Sequence, residues 1–120
     1  ETGRCFTIVY AMDGYDEISL TGNAKVRTHL SEKMLAPSDF DRKKLAPESL
    51  YGGETPEDAA TIFRNILNNK ATQAQKDAVT ANAGLAIHTI KPEISLIDCV
   101  AEARESIENG RALKTFKKII

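Results

Sequence analysis

Almost at its start the chain carries an apolar run, residues 5–11 (CFTIVYA), rich in β-branched and aromatic side chains. A segment so short and so uniformly apolar suits a strand covered on both faces, as in a parallel sheet. Such a strand needs a neighbour on each edge. Residues 17–21 then alternate, with Ile18 and Leu20 on one side. The link between them, residues 12–16, is too short for a parallel crossover, so the two segments are expected to run antiparallel if they pair. Gly22-Asn23 is a two-residue turn signal and residues 25–30 alternate again, which predicts a second hairpin. Met34-Leu35 adds a brief further strand.

Residues 37–54 are punctuated by Pro37, Pro47, Gly52 and Gly53 and are expected to form a surface loop with a helical turn near Asp39-Phe40. Helices follow. The first opens at Thr55 with Pro56 at its first position and Asp58 three residues past the cap. Its stripe is Ala59, Ile62, Phe63, Ile66 and Leu67. Thr72 with Gln75 starts a second helix, whose small residues Ala81, Ala83, Gly84 and Ala86 imply close packing on more than one side. Ser95 with Asp98 caps a third, with the stripe Leu96, Cys99, Val100, Ala103 and Ile107, and Asn109-Gly110 ends it. A last short helix carries Leu113, Phe116 and Ile119.

The predicted layout is one α/β unit over residues 1–120, with strands at about 5–36, a loop at 37–54 and helices at 55–119. A strand made for burial on both faces, beside strands that alternate, leaves the sheet unfinished. The chain is therefore expected to be a piece of a larger α/β protein. Full pairing of that strand within the chain would contradict this.

A net charge of -1 with scattered basic residues offers no stripe to track phosphates, which argues against nucleic acid as a partner. No apolar run approaches the roughly 20 residues that cross a bilayer, and the start has no signal-peptide pattern, so a cytoplasmic location is expected. Cys5 and Cys99 lie far apart in apolar segments and read as reduced core residues.

The stretch most suggestive of chemistry is residues 13–17 (DGYDE), which follow the apolar strand. In open α/β sheets, ligands gather at the carboxyl ends of strands. Two adjacent carboxylates, Asp16 and Glu17, offer hard oxygen ligands for a Mg²⁺ ion that also binds a substrate phosphate. Asp-Gly between strands is equally an ordinary turn, and Glu57-Asp58 is a second acidic pair, so spacing alone leaves both readings open.

Residues 13–22 (DGYDEISLTG) resemble the signature that follows the long strand in anthranilate phosphoribosyltransferases. The likeness continues through Lys25-Val26, Gly52-Gly53 followed by Ala59-Ala60, Asn82-Ala83, residues 103–107 (ARESI) and residues 110–113 (GRAL). It covers nearly the whole chain in order and corresponds to the C-terminal portion of the family. The resemblance implies a mainly parallel-sheet domain of the nucleoside phosphorylase/phosphoribosyltransferase kind, here represented by strands and a hairpin followed by about four helices. It also implies transfer of the phosphoribosyl group of phosphoribosyl pyrophosphate to anthranilate, in tryptophan biosynthesis, with Asp16 and Glu17 holding Mg²⁺ against the diphosphate.

The family's glycine-rich GTGGD loop, its Lys-His-Gly-Asn-Arg segment and its anthranilate-binding helical domain are not among these residues, so the isolated chain is expected to be inactive. No acid, base or nucleophile is assigned. The resemblance further implies a homodimeric parent that associates mainly through the helical domain, while this segment by itself is expected to self-associate. Tyr10-Ala11 stands where the family usually has His-Gly, and Asp58 where it usually has Asn. Tyr10 is read as a core aromatic. His29 and His88 lack metal-ligand spacing and read as surface or satisfied-core histidines. Two other readings remain: a non-catalytic relative of the same fold that binds nucleic acid or protein, and a pyrimidine nucleoside phosphorylase, from which the DGYDEISLTG run should be absent.

Overall fold

A computed structural model describes residues 4–120. Among these residues the fold is α/β, with three strands, β1 (Thr7–Ala11), β2 (Ala24–Thr28) and β3 (Glu32–Leu35), in one antiparallel sheet of order β1-β2-β3. Short 3-10 turns at Pro37–Phe40 and Pro47–Leu50 lead to four helices, α1 (Pro56–Leu67), α2 (Gln73–Ile90), α3 (Leu96–Glu108) and α4 (Arg111–Ile119). The long strand β1 pairs with β2 on one side only, in the register Thr7↔Thr28 to Ala11↔Ala24. Its other edge is free within this sheet, and Ile8 and Tyr10 on its outer face are 60% and 57% exposed. The strand is thus unfinished on one edge and one face. Tyr10 is a surface residue here, contrary to its reading as a core aromatic, because whatever would cover that face is not among these residues.

Residues 17–21 do not form the expected strand. Ile18, Ser19, Leu20 and Thr21 are all buried, so the alternation suggested by sequence has no solvent side. Leu20 adopts a left-handed φ of 63°, which no strand accommodates. The backbone groups find partners outside any ladder: Ile18 bonds to the Asn82 side chain, the Thr21 N–H donates to Ser19 Oγ, and Leu20 O accepts from Leu45 N. With that segment removed from the sheet, β2 becomes the partner of β1, and residues 12–23 form one long connection instead of two tight hairpins.

The inner face of the sheet, with Ala11, Ala24 and Val26, joins Ile18, Leu20, Phe40, Ala81, Leu85 and Val100 in the core. Helices α2 and α3 approach closely. A Cβ on Gly84 would lie 2.5 Å from Val100 Cγ2 and 2.6 Å from Val100 Cα, so only glycine allows this crossing. Caps appear as predicted: Thr55, Thr72 and Ser95 accept from Asp58, Gln75 and Asp98 backbone N–H groups. The α1 stripe contains no fully buried residue; Phe63, 46% exposed, meets Phe116 of α4 edge-on at 5.1 Å. Cys99 is buried, whereas Cys5 is exposed and corrects its reading as a core residue.

Candidate functional site

Residues 12–17 leave β1 at its carboxyl end and return through a tied loop. The Met12 N–H donates to Asn23 O at 2.9 Å, extending the β1–β2 pairing by one bond. Gly14 donates to Ala11 O at 3.0 Å with φ at 97°, and Ala11 N–H donates to Tyr15 O at 3.2 Å, closing the turn in a conformation that suits glycine. Asp13 accepts from the Thr21 hydroxyl, which shares a 2.7 Å hydrogen bond with Ser19 Oγ. Asp13 is therefore a structural anchor of the loop.

Asp16 and Glu17 differ from it. Both are exposed, and among the described residues neither carboxylate has a salt bridge or a hydrogen bond. They are adjacent, unspent oxygen donors at the strand end. No cluster of three or more His, Cys, Asp or Glu side chains suited to a metal occurs among the described residues. The pair fits Mg²⁺ in the manner of this hard cation, which takes one or two carboxylates and completes its shell with water and phosphate oxygens.

Immediately after the pair the chain is gripped from α2. Asn82 Oδ1 accepts from the Ile18 N–H at 2.9 Å, and Asn82 Nδ2 donates to Ile18 O at 2.7 Å and to Ala78 O at 2.8 Å. Nothing in the local sequence around Asn82 announces this contact, although asparagine inside a helix is disfavoured and so invites a search for a side-chain task. The histidines are occupied elsewhere: His29 Nδ1 faces the Phe6 backbone, and His88 Nδ1 lies 2.7 Å from Ile94 O. Two cavities among the described residues lie away from the acidic pair. One, about 490 Å³, lies over Val26, Leu85 and Leu96 near both histidines; the other, about 470 Å³, is an apolar groove beside Phe63, Val79 and Ile107. Among the described residues no helix is long and apolar enough to cross a membrane.

The family described as glycosyl transferase family, a/b domain, matches residues 2–113. An anthranilate phosphoribosyltransferase of Cytophaga hutchinsonii is 53% identical over 96% of this chain and 35% of its own length. One of Bacteroides thetaiotaomicron is 50% identical over 100% and 36%. The chain thus spans about a third of the length of these relatives. Among solved structures, the anthranilate phosphoribosyltransferase of Thermus thermophilus superposes with a TM-score of 0.81 at 29% identity, over 93% of this chain and 33% of that one. The Saccharomyces cerevisiae enzyme in complex with PRPP and Mg gives 0.81 at 23% identity, over 92% and 32%, a likeness of fold. With a match over nearly its full length, the chain belongs to the glycosyl transferase family, in its a/b domain.

Proposed function

We propose that this segment is the C-terminal α/β part of an anthranilate phosphoribosyltransferase, an enzyme that moves the phosphoribosyl group of phosphoribosyl pyrophosphate onto the amino group of anthranilate in tryptophan biosynthesis. The observation that carries this reading is the connection between β1 and β2, where the DGYDEISLTG run leaves Asp16 and Glu17 exposed and without a partner among the described residues. The relatives at about half identity support the choice of substrate, and a structural neighbour bound to PRPP and Mg supports the cation.

In this reading Asp16 and Glu17 would hold Mg²⁺, which would supply positive charge to offset that of the pyrophosphate leaving group. The chain's own residues supply position. The Asp13–Thr21 contact and the turn at Gly14 shape the loop, and the side chains of Asp16 and Glu17 are left open to solvent. Two carboxylates fix little of an octahedral shell, so the isolated segment is expected to bind Mg²⁺ weakly without the diphosphate.

The test is steady-state phosphoribosyl transfer in the full-length enzyme containing this segment, measured across a Mg²⁺ series. Replacing the pair together (Asp16→Asn with Glu17→Gln) should lower kcat/KM roughly 100-fold at fixed Mg²⁺ and shift the Mg²⁺ dependence to higher concentration. The isolated 120 residues should show no turnover in the same assay. An unchanged Mg²⁺ profile in the double variant would reject the assignment of the pair, and turnover by the segment alone would overturn its expected inactivity.

A further inference from the structure

We propose that Asn82 is a positioning residue for the Asp16–Glu17 carboxylates, acting from helix α2 through both peptide groups of Ile18. This rests on the reading that the pair binds a divalent cation. The argument begins with the segment that follows the pair. Ile18 is 3% exposed, so its N–H and C=O have little access to water and need protein partners. In a sheet those partners would be a neighbouring strand. Here residues 17–21 lie outside the sheet, and one side chain serves both groups of Ile18, at 2.9 and 2.7 Å.

Such a two-point grip fixes rotation as well as position. A single hydrogen bond would let the Ile18 backbone swing about it; donor and acceptor held together by one planar amide do not. The remaining Asn82 donor contact, 2.8 Å to Ala78 O, ties the amide to its own helix and sets the side-chain angle. Glu17 precedes Ile18 directly, and Asp16 precedes Glu17, so the direction in which both carboxylates leave the backbone is referred to α2. Helix α2 in turn is locked against α3 at Gly84. On its C-terminal side the pair therefore takes its aim from the α2–α3 helices, while the Ala11 N–H to Tyr15 O bond ties its N-terminal side to β1 and the Asp13–Thr21–Ser19 contacts stay internal to the connection.

Metal ligands held by hydrogen-bonded partners typically lose about 10- to 100-fold in affinity when those partners are removed. The experiment is Mn²⁺ binding, followed by electron paramagnetic resonance, to the full-length enzyme with saturating phosphoribosyl pyrophosphate, using Mn²⁺ with that compound alone as the reference signal. Asn82→Ala, and Asn82→Leu, which keeps the branched heavy-atom skeleton but neither hydrogen-bonding group, should each raise the Mn²⁺ Kd on the order of 10-fold. Thr80→Ala is the matched control. Thr80 is fully buried on the same helix, and its hydroxyl donates to the Lys76 and Asp77 carbonyls, so its loss perturbs α2 without removing a hydrogen bond to Ile18. It should leave the Kd within about 2-fold, on the expectation that only groups in contact couple strongly.

If Asp16→Asn with Glu17→Gln leaves Mn²⁺ affinity unchanged, the cation reading falls and this inference falls with it. If that double variant weakens binding but both Asn82 variants do not, the inference alone is overturned. An equal loss in Thr80→Ala also overturns it, in favour of a general dependence on helix stability.

Discussion

Single residues in this chain divide by whether their surroundings are complete. The Cys99 thiol is buried on α3, and that burial, reinforced by Glu102, pushes its pKa up. A folded-state value above the unfolded one means that its contribution to stability is fully present below the unfolded pKa and is lost as pH rises through the folded value. Cys99 should therefore resist thiol reagents at pH 8, while exposed Cys5 reacts; titration of the isolated chain should find one fast thiol in the native state and two in denaturant. Equal rates for both would contradict the burial. Cys99 was legible because it falls on a helical stripe whose far side is present. Cys5 was not, since an apolar neighbourhood in sequence says nothing about whether its cover belongs to the same segment. The same reason separates Tyr10, expected inside and found outside. The adjacency of Asp16 and Glu17 is plain in the sequence and the structure adds that both are exposed, while Asn82 meets Ile18 only through a contact 64 positions away.

At the scale of elements, the helices were easier to read than the strands. Thr55, Thr72 and Ser95 each announce a helix start through a local hydrogen bond that sequence spacing encodes directly. Residues 17–21 failed as a strand because alternation specifies a face only if a partner strand exists, and side chains of α2 and the loop near Leu45 took the backbone bonds instead. The small residues of α2 pointed to tight packing, and Gly84 supplies it. Gly84→Ala places a methyl group against the Val100 backbone and should cost about 3 kcal/mol, the upper end for an overpacked core. Denaturant melts of the wild type and variant check this, and a change below about 0.5 kcal/mol, the level of an ordinary surface substitution, would refute the closeness of the α2–α3 crossing.

For the molecule as a whole, the sequence indicated an incomplete sheet, and the structure has β1 at its margin with Phe6, Ile8, Tyr10 and Met12 between 39% and 60% exposed. An uncovered apolar strand with a free hydrogen-bonding edge invites pairing with another copy. The isolated chain should therefore associate as its concentration rises. Ile8→Lys puts a charge in the middle of that face and should shift the equilibrium toward monomer in sedimentation experiments. A wild-type chain that remains monomeric at high micromolar concentration would count against an adhesive margin. What the sequence could not convey is the extent of the exposed face, because apolar character in a strand does not say which of its faces is covered within the same residues.

The unpaired edge of β1 also sets a ruler for any strand that pairs with it. A strand laid parallel along it would finish level with Met12, handing its next turn to the neighbourhood of Asp16 and Glu17. Adding or deleting two residues in such a strand would slide that turn by about 7 Å, farther than a phosphate oxygen and a carboxylate can be apart and still share one cation.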